Sequence, residues 1–201
     1  NFLMNTASYL PKSTKQKRSK KRYENILDAA EKIILEKGIK NLSFKNIAFK
    51  AKMQRPSLYK LFPNTLSILH ALKDRHFNKI IATYERNTLD SKNMSKEWHI
   101  NLFIDVISIY LNQNKVTASV IFSLREVPLA SEIENNSNTL LDLLLFDFLE
   151  KDQSENMKDK ILITAHICLS ILALGYRQER HIGARYIAEA KRAAISYINT
   201  P

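Results

Sequence analysis

Apolar residues recur at helical spacing along most of the chain, and no stretch shows the alternation that marks a half-buried strand. Ile26, Leu27, Ala30, Ile33 and Ile34 form one face of a first helix. It begins near Lys20 and stops at Gly38, a residue that accepts the left-handed backbone ending many helices. Ser43 has the hydroxyl to cap a second helix of barely two turns, with Phe44, Ile47, Ala48 and Ala51 as its apolar face. After a break at 52–54, Pro56 opens a third short segment, 55–61, because its missing N–H would be unpaired in a first turn anyway. Pro63 and Asn64 stop that segment. Asn64 then caps a long fourth helix through Ile68, Leu69, Leu72, Ile80, Ile81 and Tyr84 toward Asn87.

Beyond a polar joint at 90–95, the same periodicity predicts helices over 96–111, 116–124, 133–149, 157–175 and 182–199. The stretches 140–148 and 161–174 are so apolar that they need burial, yet neither reaches the roughly 20 residues of a membrane span. Three glycines and five prolines leave few sites for tight turns, which again favours long helices. The expected fold class is all-α. The single cysteine, Cys168, has no partner for an intramolecular disulfide and reads as a small buried apolar residue. Residues 1–10 have no compact apolar stretch after basic residues, so no secretory signal is expected and the location is read as cytoplasmic.

Charge divides the chain. Residues 1–64 hold 15 Lys and Arg against 4 Asp and Glu, which accounts for the whole net charge of +11, whereas 65–201 balance 16 against 16. One end therefore suits a polyanion, with double-stranded DNA as the leading partner. A basic tail serving solubility or an anionic membrane is the alternative on charge alone. Residues 1–19 read as a flexible basic arm, 20–64 as a DNA-binding domain and 65–201 as a second helical domain.

Two short helices joined by a tight turn, with a longer helix ahead of them, make a helix-turn-helix. The amino end of the second short helix reads base edges in the major groove. Arg55 and Gln54 stand at that end, and their side chains suit guanine and adenine respectively. The run Ile26-Leu27-Asp28-Ala29-Ala30, followed by Gly38, Ser43, Ile47-Ala48, Ala51, Pro56-Ser57-Leu58-Tyr59 and Phe62, resembles the N-terminal domain of TetR-type regulators over about residues 22–70. The resemblance implies phosphate contacts from Ser43, Tyr59 and Lys60, and reading positions at Gln54, Arg55 and Ser57. Lys45 and Thr65 complete the expected DNA-facing set, although Lys45, Lys50 and Lys60 taken singly read as solvated surface. Two residues depart from the family pattern. Lys52 replaces the turn glycine, at a cost in backbone strain, and Thr65 replaces a phosphate-binding lysine.

For the C-terminal part the resemblance implies a helical ligand-binding and dimerisation domain whose last two helices pair in a homodimer. Ala184, Ala188, Ala190, Ala193 and Ala194 would permit a close approach there. Candidate effector contacts are Trp98, Phe103, Tyr110, Phe122, Arg125, His166 and Tyr176, each with plain core packing as the duller reading. Arg125 and His166 would otherwise meet an internal partner such as Glu126 or Asp105. No zinc pair, phosphate loop, nucleophile elbow or cysteine cluster occurs, so no enzyme, metal or cofactor is expected. The sequence thus reads as a transcriptional regulator, a repressor released from its operator by a small-molecule effector. The alternative is a ligand-independent architectural or nucleoid-associated protein.

Overall fold

The computed structural model describes residues 17–89, 94–124 and 155–200, and every regular element among them is helical. The helices are α1 (Lys17–Lys37), α2 (Phe44–Lys50), α3 (Arg55–Tyr59), α4 (Thr65–Thr88), α5 (Lys96–Gln113), α6 (Lys115–Leu124), α7 (Glu155–Glu179) and α8 (Ala184–Ile198), with a 3-10 turn at Ile39–Asn41. The helix expected at 133–149 and the basic residues before Lys17 lie outside the described residues. α1 starts at Lys17, about one turn before the expected Lys20.

Residues up to His76 form one compact unit together with α6. Its core is the apolar face of α1 (Ile26, Leu27, Ala30, Ile33, Ile34), covered by Phe44, Ile47, Leu58, Phe62, Ile68 and Leu72. Val120 and Leu124 of α6 join the same core, a long-range partnership that local periodicity does not reveal. Gly38 ends α1 at φ 78° and ψ 163°, an extended mirror conformation open essentially to glycine alone. Arg75 of α4 reaches back to α1, pairing with Asp28 and Glu31 at 2.7 Å each and with Glu24 at 3.3 Å. His76 Nε2 lies 2.6 Å from the same Glu31 carboxylate. Burial would raise the Glu31 pKa, but hydrogen bonds from His76 and Arg75 and their charges outweigh it and bring it down to about 2.

Phe77–Asn114 form a second unit with α7 and α8. Here α8 packs along α7, and Gly175 makes the approach possible. A Cβ at Gly175 would stand 2.7 Å from the Tyr186 ring, a clash at the root of a side chain that cannot swing aside. Ala190 and Ala194 are fully buried inside the chain, with Cys168 against the Ala190 carbonyl. This corrects the expectation that both alanines line an intersubunit face: the first partner of the small-residue stripe is α7 of the same chain. Burial pushes the Cys168 thiol up to about 12, so it behaves as an apolar residue. Asp105 of α5 pairs with Lys191 of α8 at 2.6 Å rather than serving His166, which is exposed. The segment Asp159–Glu179 is long and apolar enough by composition to cross a membrane, contrary to the expectation from its sequence. One face of it packs against α8, while Ile163 and Leu174 are exposed.

Backbone strain and burial each make a testable difference to stability. Lys52 sits at φ 52°, with its N–H bonded to the Phe49 carbonyl and the Met53 N–H bonded to that of Ala48. This is the paired cap that normally carries glycine. Lys52→Gly removes a left-handed strain of about 1–2 kcal/mol and adds about 0.4–1 kcal/mol of unfolded-chain entropy. The variant should therefore be more stable by up to about 1 kcal/mol in urea unfolding, and a decrease in stability would contradict the strain. His70, only 3% exposed, has an Nε2 without a hydrogen-bond partner among the described residues. Burial, aided by the Lys73 charge, lowers its pKa from 6.5 to about 4. A depressed folded pKa means that the unfolded chain takes up the proton first, so stability is complete above pH 6.5 and is lost as pH falls toward 4. The loss across that window should be about 3 kcal/mol. His70→Gln should flatten it while leaving the further decline from about pH 4.5 to 2 that Glu31 produces. Urea unfolding at pH 7, 5.5 and 4 measures the difference.

Candidate nucleic-acid interface

The short elements α2 and α3 owe their geometry to single residues. Ser43 is extended and its Oγ accepts the Asn46 N–H at 3.3 Å, which caps α2. The Lys52 turn then redirects the chain, and Asn25 of α1 donates to the Ala51 carbonyl at 3.0 Å, fixing where that turn lies. Gln54 is extended at the head of α3 and makes no capping bond through its side chain. Leu58, fully buried, anchors α3 to the core. Phe44 and Tyr59 meet edge-on at 4.5 Å, holding the start of α2 against the end of α3. Asn64 caps α4 by accepting the Ser67 N–H at 2.8 Å, as its position in the sequence implies.

This scaffold leaves Lys45, Gln54, Arg55, Tyr59 and Lys60 exposed, with Ser43, Ser57 and Thr65 half-buried. Tyr59 shares both readings, its ring braced by Phe44 while 54% of the residue faces solvent. Phe62 is wholly core and stacks on Tyr23 at 4.9 Å. No carboxylate occurs between Glu36 and Asp74, so this surface has no acidic residue of its own. Lys50 is drawn toward α1 by Glu36 at 2.7 Å, whereas Lys45, Lys52, Arg55 and Lys60 make no ion pair among the described residues. Four cations and three or four hydrogen-bonding side chains therefore share the outer surface of α2 and α3. Sequence reasoning overlooked Asn25, whose bond spans 26 positions, and Phe49, which is 87% exposed on α2.

The candidate effector residues are less concentrated. Trp98, Phe103 and Tyr110 are half-buried on α5, Tyr176 is buried on α7 and His166 is exposed there. Phe122 is buried on α6 in the first unit, and Arg125 lies outside the described residues. Trp98 and Phe103 belong to an aromatic cluster centred on Tyr84. The Tyr84 hydroxyl meets His99 Nδ1 at 2.7 Å, Trp98 stands edge-on to His99 at 5.0 Å and Phe103 edge-on to Tyr84 at 6.4 Å.

Comparison with known proteins agrees with this architecture. Residues 26–72 match the family model described as bacterial regulatory proteins, tetR family. No curated protein matches the chain. A TetR-family transcriptional regulator from Streptomyces coelicolor aligns with a TM-score of 0.70 at 20% identity, covering 90% of this chain and 97% of the other. The multidrug binding protein EbrR, solved in complex with imidazole, aligns at 0.66 and 15% identity over 96% and 98% of the two chains. A TetR-family regulator from Mesorhizobium loti aligns at 0.59 and 15% identity over 91% and 96%. Residues 26–72 are thus similar to the regulatory domain of the tetR family, and the chain that carries them shares the fold of TetR-family transcriptional regulators.

Proposed function

We propose that the protein is a homodimeric transcriptional repressor that binds a two-fold DNA operator and leaves it when a small-molecule effector occupies the C-terminal domain. The observation that carries the reading is the carboxylate-free, cationic surface of α2 and α3, with Arg55 at the head of the reading helix. Arg55 and Gln54 would contact base edges, Ser57 would assist them, and Ser43, Lys45, Tyr59, Lys60 and Thr65 would hold phosphates. Residues 20–64 would then be the DNA-binding domain, 65–201 the effector and dimerisation domain, and 1–19 a basic arm adding phosphate neutralisation. The protein would act in the cytoplasm, where its operator lies. The aromatic cluster of Trp98, Phe103 and Tyr84 supports an effector with apolar or aromatic character, as does the fold shared with a multidrug binding protein.

A dimer is supported by α7, where Ile163, His166, Ser170 and Leu174 make one exposed stripe, the two aliphatic residues being 42% and 48% exposed. Light scattering should report twice 23.3 kDa. Ile163→Glu combined with Leu174→Glu should yield monomers that keep their helical content, and a monomeric parent at micromolar concentration would sink the two-fold operator.

Reading and positioning should separate in competition binding at several salt concentrations. Arg55→Ala should lower preference for an operator selected from random duplexes by about 1–3 kcal/mol while much of the random-sequence affinity remains. Deleting residues 1–16 should weaken specific and random binding alike, with the log-affinity against log-salt slope falling by about 0.9 for each phosphate no longer neutralised. Selective loss of operator preference on deleting the arm would assign groove reading to the arm instead. Effector and operator should oppose one another by roughly 1–3 kcal/mol, about 5–150-fold in either direction. Independent binding of the two would leave the architectural reading in its place.

A further inference from the structure

We propose that Phe49 is part of the DNA-reading surface, resting on the apolar edge of the duplex, on thymine 5-methyl groups in the major groove beside the bases that Arg55 reads. The inference rests on the DNA-binding function proposed above. Phe49 is the most exposed of the large hydrophobic residues among the described residues, at 87%, on a helix whose other apolar residues, Phe44, Ile47 and Ala48, are buried. Burying such a ring stabilises a protein, so leaving it in water is a cost that the folded chain does not recover by itself.

Its place on α2 selects the occupant. Lys50 points to α1, where Glu36 holds it at 2.7 Å, and the Asn46 side chain bonds the Asn41 carbonyl on that flank. Phe44 meets Tyr59 of α3 at the buried face, and Phe49 lies about 140° around α2 from Phe44, on the outer face. At 100° per residue, Lys45 and Phe49 lie one turn apart on the flank away from Lys50 and Asn46. The Lys52 N–H bonds the Phe49 carbonyl at 3.2 Å, and the cap at Lys52 leads directly to Gln54 and Arg55. An apolar ring bracketed by two lysines, on a surface with no carboxylate, complements a partner that offers anionic rails and apolar groups between them. A protein partner of matching charge would need an acidic patch around an apolar pocket, whereas every thymine in B-DNA presents its methyl group beside two phosphate chains.

The test uses the full-length chain and duplexes selected by it from a random-sequence library. In the best selected duplex each thymine is replaced in turn by uracil, which deletes only the methyl group. At one position or at adjacent positions this should weaken the parent about four-fold, the equivalent of one buried methyl group. Phe49→Ala should bind the unmodified duplex correspondingly more weakly, should lose the uracil penalty at that position alone, and should keep the parent's thermal midpoint because the ring makes no core contact. Phe49→Leu should keep part of the penalty. Equal affinity and equal uracil penalties for parent and Phe49→Ala would overturn the proposal, and so would a change in self-association with unchanged DNA binding. If Arg55→Ala loses selectivity while Phe49→Ala does not, this inference fails and the DNA-binding reading stands. If the parent enriches no sequence at all, both fail together.

Discussion

The two short helices α2 and α3 are too short to exist alone. α2 has seven residues and α3 five, well below the 12–15 or so at which an isolated helix becomes marginal in water. Their geometry is therefore borrowed from the helices around them. Leu58, Phe62 and Ile47 are each fully buried against the face of α1, and Asn25 ties the carbonyl at the end of α2 to the same helix. α1 packs on α2 and α2 in turn on α3, so the three helices share one core. The polar side chains on the outside contribute little to this arrangement and are free to be chosen for recognition.

How far the sequence discloses this structure depends on the range of the interaction concerned. Gly38, Ser43, Pro56 and Asn64 act through their own backbone preferences or through a bond to a residue three or four positions away, so their roles are legible locally. Lys52 is the instructive case: a lysine in the glycine position is recognisable only from the family pattern, and the backbone does adopt the positive φ which that pattern demands. Periodicity identifies an apolar face but not its partner. The small residues Ala190 and Ala194 announce close packing, yet only the folded chain shows that the element meeting them is α7 of the same subunit. For the same reason nothing local assigns Val120 and Leu124 to the core of the first unit.

The proposed recognition residues are legible in the sequence to a different degree from the proposed effector contacts. A helix-turn-helix constrains which positions face outward, and composition adds the absence of any carboxylate from 37 to 73, so a small set of residues suffices. An effector cavity imposes no comparable spacing. Aromatic side chains on α5 and α7 satisfy core packing and ligand contact equally well in sequence, and only their partners distinguish the two roles. Trp98 and Phe103 join a ring cluster about Tyr84 and His99, whereas His166 faces outward.

Regulation, on the proposed reading, must pass along α4, which contributes residues to both units. The last residues of its first part, Arg75 and His76, are those that grip α1. Arg75 makes two contacts of 2.7 Å with carboxylates of α1 while only 17% of its side chain is exposed. The Asp28 partner is 60% exposed and Glu31 28%, so solvent screens both pairs and they hold the first part of α4 on α1 more weakly than buried charge pairs would. While these pairs hold, a displacement of the first part of α4 would carry α1 with it. On the proposed reading, an effector that displaced this part of α4 would thereby move the core surface against which Ile47 and Leu58 pack.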